Sequence, residues 1–274
     1  QVNGWQKPLP TQVDEIAAWI GTAGPAPARC ALDLALHDKI GRFQQKPLHA
    51  LLGLPTPQPL PTSFTISIDT PEKMAAQARN IPNFSVIKLK LGSEDDEARL
   101  AAVRAARPDA QLCVDANAGW TVAEAIDLIP RLAAHNLLFV EQPVAKDEID
   151  GLGDVQRHSP VPLVADESVQ TMQDIERLAA AGVQGINLKL MKVGGLVPAL
   201  AMLRRAKALG LRVLLGCMVE TSLGITAMAH LSGLADWLDL DAPLLIKNDP
   251  FKGVTYSARG EVHLPDGYGI SVKH

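Results

Sequence analysis

Five short apolar runs decide the fold: VIKLKL at 86–91, LCVDAN at 112–117, FVEQP at 139–143, LVADES at 163–168 and GINLKL at 185–190. Each is rich in β-formers, and each sets an ionisable residue near its C-terminal end: Lys90, Asp115, Glu141, Asp166 and Lys189. The steps between these residues are 25, 26, 25 and 23, room for one strand, a turn, one helix and a second turn. Outward from this block the alternation continues, with further strands expected at Phe64–Ile68, Arg212–Cys217 and Trp237–Ala242. Between strands, Asp96–Ala106, Val122–Ala134, Met172–Ala181 and Leu196–Leu209 carry apolar residues at helical spacing. Eight alternations predict an α/β fold of the TIM-barrel type. An open doubly wound sheet would carry a glycine-rich phosphate turn after its first strand, and none is present. Gly194-Gly195 is read as a plain turn rather than an anion site.

In such a barrel the C-terminal strand ends meet at one mouth. Side chains two apart on a strand share a face, so Lys88 sits with Lys90, Cys113 with Asp115 and Asn117, and Asn187 with Lys189. Glu167 is one residue out of step with Asp166 and is expected to face the helices or solvent. Lys90 on the second strand and Lys189 on the sixth stand across the mouth, with three acids on the arc between them. Charged groups are seldom buried without partners, so five in register point to chemistry.

Three carboxylates with no histidine or cysteine beside them favour a hard cation, Mg²⁺ first and Mn²⁺ as a substitute. Two lysines on opposite sides of one bound atom suit proton removal on one face and return on the other, which inverts a stereocentre. A general base supplies roughly 10²–10⁴-fold, about 3–5 kcal/mol of the ~8–23 kcal/mol that enzymes provide. A divalent ion on the substrate carboxylate would be the larger contribution. A base lysine must be neutral, and Lys88 together with the ion is expected to lower its pKa, which gives Lys88 an electrostatic role.

The rest of the chain is organised around this barrel. Residues 1–60 read as part of a smaller domain, 61–248 as the barrel, and 249–274 as a segment folding back on the small domain. Ala28–Gly41 is expected to be one helix, with Leu32, Ala35, Leu36 and Ile40 on its buried face and Asp33, His37 and Lys39 off it. Pro55, Pro57, Pro59 and Pro61 mark a stiff linker into the barrel. The chain begins at Gln1, and upstream sequence is expected to be missing. The net charge of −4, without a basic cluster, argues against nucleic acid. No apolar run approaches the ~18 residues of a membrane span. Cys30, Cys113 and Cys217 form no CxxC pair and read as reduced core thiols, which places the chain in the cytoplasm.

The motifs Lys88-Leu-Lys90, Val114-Asp-Ala-Asn-Ala-Gly-Trp120, Val140-Glu-Gln-Pro143, Ala165-Asp-Glu-Ser168 and Asn187-Leu-Lys-Leu-Met-Lys-Val-Gly-Gly195 resemble the enolase superfamily, in its muconate-lactonizing-enzyme subgroup. Leu32-Asp-Leu-Ala-Leu-His-Asp38 is similar to a helix of that family's capping domain. The resemblance implies a modified TIM barrel of (β/α)7β type with an N-terminally incomplete α+β capping domain. It also implies Mg²⁺ on Asp115, Glu141 and Asp166, and Lys90 and Lys189 as the acid/base pair acting through an enediolate. Gly216-Cys-Met-Val-Glu-Thr-Ser222 and Asp239-Leu-Asp241 resemble dipeptide epimerases, in which the Asp-x-Asp holds the substrate ammonium. Met218 and Lys247 are then further substrate contacts, Lys247 meeting an acidic side chain. The implied activity is epimerisation of a dipeptide, L-Ala-D/L-Glu first, in peptidoglycan recycling, by a homo-oligomer. The alternatives are N-acylamino-acid racemisation, o-succinylbenzoate synthesis, cycloisomerisation, or a truncated barrel that binds without turnover. Asp239 and Asp241 argue against the first three, whose substrates lack a free ammonium.

Overall fold

The computed structural model describes residues 7–274. Gln1, and with it the expectation about the start of the chain, lies outside the described residues. Eight strands form one parallel sheet in sequential order. They are β1 (Phe64–Ile66), β2 (Val86–Lys90), β3 (Gln111–Asp115), β4 (Leu137–Glu141), β5 (Leu163–Ala165), β6 (Gly185–Leu188), β7 (Arg212–Gly216) and β8 (Trp237–Asp239). A parallel bridge from Thr62 to Leu238, with Ser63 N–H donating to Leu238 O at 2.9 Å, joins β8 to the residues before β1 and closes the barrel.

Helices precede and alternate with the strands: α1 (Ile16–Ile20), α2 (Ala26–Phe43), α3 (Leu48–Leu51), α4 (Pro71–Asn80), α5 (Asp96–Ala106), α6 (Val122–Ala133), α7 (Ile149–His158), α8 (Met172–Ala181), α9 (Leu190–Val193), α10 (Leu196–Ala208), α11 (Ser222–Ala229) and α12 (Ala242–Leu245). Their starts follow local chemistry. Thr121 and Thr171 cap α6 and α8, and Glu124 and Asp174 reach back to complete capping boxes. Only the four-residue α12 follows β8, so the eighth unit lacks a full helix. The chain ends in a hairpin, β9 (Thr255–Tyr256) with β10 (Val262–His263), and a tail that bonds to the region around α2 and α3. Leu48 N–H donates to Gly269 O at 2.8 Å, and Ile270 N–H to Asp38 Oδ1 at 2.8 Å. Among the described residues no helix is long and apolar enough to cross a membrane.

The barrel interior is layered by strand alternation. Val86, Cys113, Phe139, Val164 and Leu214 make an apolar plug. Two residues further along their strands come Lys88, Asp115, Glu141, Asp166 and Gly216, and Trp237 leads to Asp239 in the same way. The plug therefore floors a charged layer.

Three expectations need correction. Strands β5 and β6 stop at Ala165 and Leu188, earlier than expected, so Asp166 and Lys189 lie just past their ends. On α2, Asp33 and His37 are buried while Ala35 is exposed. The cause is a polar contact that pattern reading cannot weigh. Asp33 Oδ1 accepts the N–H of Leu196 at 2.7 Å, and His37 Nδ1 lies 3.2 Å from the same carboxylate. Gly195, at φ +122°, is the N-cap of α10, and a Cβ there would run into the Asp33 side chain. The glycine pair does open a helix onto an anion, and the anion is the chain's own Asp33.

Candidate active site

Strand ends deliver the charged groups to one cleft. It is lined in part by Lys88, Lys90, Asn117, Asp166, Lys189 and Lys192, with Cys217, Met218, Asp239, Asp241 and Leu245 on the β7–β8 side, and its volume is about 370 Å³. Lys90 Nζ donates to Asp115 Oδ2 at 2.6 Å and to Asn117 Oδ1 at 2.9 Å. Lys88 Nζ sits among three carboxylates, 2.7 Å from Glu141 and Asp239 and 3.1 Å from Asp115. Lys189 Nζ is 2.7 Å from Asp166 Oδ2, and Lys192 Nζ touches the other oxygen of the same carboxylate. Lysines of β2 and of the segment after β6 thus face one space from strands four apart in the sheet.

The electrostatics follow from burial opposed by pairing. Burial alone would depress Lys88, but Asp239, Glu141 and Asp115 outweigh it and raise its pKa well above the ordinary lysine value. Burial likewise opposes charge on Asp115 and Asp166, yet the adjacent lysines hold both below the usual carboxylate range. Glu141 differs: burial and repulsion from Asp115 push it up to about 8, despite Lys88. Burial depresses Lys192. For Lys189, burial is outweighed by Asp166 and Glu141, and its pKa is raised. That is opposite to the lowering expected of a base lysine, because the acids nearest it exert more than its neighbouring cation Lys88 does.

Six carboxylates (Asp115, Glu141, Asp166, Glu167, Asp239, Asp241) gather around four ammonium groups (Lys88, Lys90, Lys189, Lys192), so acids outnumber lysines. Glu141 Oε2 lies 2.7 Å from Lys88 Nζ without hydrogen-bond geometry, and Asn187 Oδ1 is buried with no donor. As the side chains stand, no three His, Cys, Asp or Glu among the described residues are gathered to hold a metal, since lysine ammonium groups lie between the acids. The donor chemistry, all oxygen from acids that outnumber the lysines, with Glu141 pushed up by burial and its acidic neighbours, fits a hard divalent cation.

Asp239 accepts from Ser63 Oγ at 2.6 Å as well as from Lys88, and Asp241 Oδ2 accepts the Thr65 N–H at 2.7 Å. Asp241 stands at the N-cap of α12 but makes no side-chain cap bond. Burial and the charge of Asp239 push Asp241 up to about 6. Met218 is exposed at the rim, whereas Lys247 is exposed outside the residues that line the cleft. Cys217, expected in the core, is half-buried and lines the cleft, its Sγ donating to Asp239 O at 3.2 Å.

Residues 73–274 match the family model described as "Enolase C-terminal domain-like". The chain belongs to this family. Among curated members, the L-Ala-D/L-Glu epimerase of Bacteroides thetaiotaomicron is 38% identical over 276 residues, covering 99% of this chain and 71% of that protein. The L-Ala-D/L-Glu epimerase of Bacillus subtilis, solved as a substrate-liganded complex, superposes with a TM-score of 0.88 at 35% identity, covering 95% of this chain and 75% of that one. A dipeptide epimerase from Cytophaga hutchinsonii, complexed with Mg and D-Ala-L-Val, gives a TM-score of 0.88 at 33% identity, covering 92% of this chain and 72% of that one.

Within this enolase-type mouth, three residues escaped the sequence reading. Glu167 was expected to face away, but the strand has already ended and the turn brings it to the cleft, where its Oε1 accepts Asn117 Nδ2 at 3.1 Å. Lys192 sits on α9, one helical turn after Lys189. The i, i+3 spacing of Lys189 and Lys192 was a usable signal once a helix was expected there. Gln142 is fully buried, and its Oε1 accepts the N–H of Asp166 at 2.8 Å and of Ser168 at 3.2 Å, which pins the loop after β5. Gly216 has a steric role: a Cβ there would collide with Asn187, whose Nδ2 donates to Glu141 Oε1 at 2.7 Å.

Proposed function

We propose that this chain is a Mg²⁺-dependent dipeptide epimerase that inverts the α-carbon of L-Ala-D/L-Glu by removing a proton on one face and returning it on the other. The observation that carries this reading is one cleft that Lys90 enters from β2 and Lys189 from just past the end of β6, four strands on, with acids between them. In this assignment Lys90 and Lys189 exchange the α-proton, each from its own side. Asp115, Glu141 and Asp166 would hold the ion. When bound, Mg²⁺ would supply positive charge to those acids and to the substrate carboxylate as negative charge develops there.

The other roles belong to the chain's own groups. Lys88 is locked among three acids and fixes their positions, which suits a structural charge rather than a proton carrier. Asp239 and Asp241 receive the dipeptide ammonium, and a cation beside Asp241 relieves the repulsion that raises its pKa. A free ammonium distinguishes dipeptides from N-acylated substrates. Met218 borders the substrate at the rim. Lys247 meets the acidic side chain only if the segment after α12 turns inward. Within residues 1–60, the described part from Lys7 on belongs to a capping unit over the barrel of 61–248, with 249–274 packed against it. The physiological setting that fits an Ala-Glu dipeptide is the cytoplasmic recycling of peptidoglycan fragments.

The test is incubation of L-Ala-L-Glu and a dipeptide panel with Mg²⁺ in D₂O, followed by NMR. α-Deuterium should appear together with the second epimer. Absence of exchange across the panel, or covalent trapping of a lysine by borohydride with substrate, would overturn the assignment.

A further inference from the structure

Lys90 has a second hydrogen-bond acceptor besides Asp115, and the chain spends effort on orienting it. Asn117 follows the end of β3 with φ +43°, a left-handed conformation that asparagine tolerates better than most residues. Its backbone N–H donates to Asp115 Oδ1 at 2.9 Å, so the turn is built on the same carboxylate that Lys90 contacts. Its side-chain oxygen takes Lys90 Nζ at 2.9 Å, and its Nδ2 donates to Glu167 Oε1 at 3.1 Å. A lysine ammonium can only donate, and an ionised carboxylate can only accept. The two neighbours therefore dictate one orientation of the amide.

Glu167 is held firmly for this task. It lies between Asp166 and Ser168, whose backbone N–H groups both bond to the buried Gln142 side chain. Its second oxygen, Oε2, is buried without a hydrogen-bond partner among the described residues. Keeping a carboxylate half-satisfied is unfavourable for folding, which calls for a reason in the site.

We infer that Glu167 is a positioning residue that locks the Asn117 amide, and through it directs the lone pair of neutral Lys90 into the cleft. The inference rests on the epimerase reading above. A neutral lysine amine has two N–H bonds and one lone pair. With Asn117 Oδ1 and Asp115 Oδ2 accepting the two N–H bonds, the remaining tetrahedral direction carries the lone pair towards the substrate. If the amide turned over, Nδ2 would donate to that lone pair and occupy it. Glu167 prevents this because its carboxylate accepts the Nδ2 hydrogen and offers none in exchange. Lys189 has no such arrangement, as among the described residues its Nζ bonds to the Asp166 side chain alone. The effect should therefore fall on one face of the reaction.

The experiment compares α-deuterium incorporation from each epimer of L-Ala-Glu separately, with Mg²⁺, in the unaltered chain and in Glu167→Ala and Glu167→Gln. The epimer served by Lys90 is the one whose exchange disappears in Lys90→Ala. Glu167→Ala should slow exchange of that epimer by about tenfold or more, the scale of a misplaced catalytic group. The other epimer should stay within about twofold. Glu167→Gln should recover only part of the loss, since its side-chain oxygen can still accept from Asn117 while its NH2 can equally donate to the turned-over Asn117 oxygen. Equal slowing of both epimers, or no slowing of either, would overturn the inference. A second measurement does not depend on turnover: trace labelling with acetic anhydride, with Lys90 and Lys189 quantified by mass spectrometry. Glu167→Ala should change the Lys90-to-Lys189 labelling ratio several-fold, and an unchanged ratio would refute the lock. If the unaltered chain exchanges neither epimer, the dipeptide assignment fails while the labelling ratio still decides the lock.

Discussion

At the scale of single residues, the site is a contest between burial and pairing. Lys88 and Lys90 both contact Asp115 but differ in freedom, because Lys88 is buried among three acids while Lys90 remains partly exposed. That difference fits a fixed charge in one case and a mobile proton carrier in the other. Replacing either carrier should separate the two half-reactions. Lys90→Ala and Lys189→Ala should each abolish epimerisation, with a loss of at least about 10²-fold, the lower bound for a general base. Each variant should still exchange deuterium into one epimer, and the epimer should differ between them. Normal turnover by both variants, followed by NMR, would end the two-lysine scheme. Asp239→Asn should raise KM for dipeptides and should also disturb Lys88, since one carboxylate serves both Lys88 and Ser63.

At the scale of elements, α2 shows how a polar residue can outrank an apolar stripe. Asp33 is buried because the N-terminus of α10 exposes N–H groups with no intrahelical partner, and a carboxylate there satisfies them and the helix dipole together. Asp33→Ala would strand the Leu196 N–H and remove the carboxylate beside His37, whose Nδ1 keeps the backbone oxygen of residue 33 at 2.8 Å. The expected cost is about 2 kcal/mol, within the range for losing a cap or a charged hydrogen bond. Urea unfolding checks this, and a change below about 0.5 kcal/mol would match an ordinary surface substitution instead. The helices Asp96–Ala106 and Met172–Ala181 were legible to the residue from periodicity. The ends of β5 and β6 were not, because where a strand stops depends on when its neighbours stop pairing. That misplaced end also put Glu167 on the wrong side.

At the scale of the whole molecule, the charged layer makes stability depend on pH. The folded pKa of Glu141, about 8, lies above its ordinary 4.5, so its contribution is fully present below pH 4.5 and is lost as pH rises through 8. His230 runs the other way. Burial and His49 lower it from 6.5 to about 4, so its contribution is present above pH 6.5 and is lost as pH falls through 4. Asp241 has finished titrating near 6. Between pH 6.5 and 8 the raised Glu141 therefore makes stability fall as pH rises. In EDTA, Tm should fall across this interval by several degrees, at about 2–4 °C per kcal/mol for a large domain. Added Mg²⁺ should raise Tm more at pH 8 than at pH 6.5, through charge placed beside Glu141 and through binding linkage. A flat profile in differential scanning calorimetry would contradict the shift at Glu141.

The eightfold alternation and the strand identities were determined by the sequence alone, as was the convergence of Lys90, Asp166 and Lys189 on one mouth, whereas Glu167 and Lys192 were not. Periodicity fixes which side chains share a face, and parallel connections bring like ends together. Only the tertiary structure decided the pairing within the mouth: Lys88 with Asp239, Asn117 with Glu167, Lys192 with Asp166, and the Gln142 brace under the loop after β5. These contacts join residues from separate strands and turns. Their partners depend on loop conformation and on which charge lies nearest once water is excluded, and neither is encoded in a local pattern.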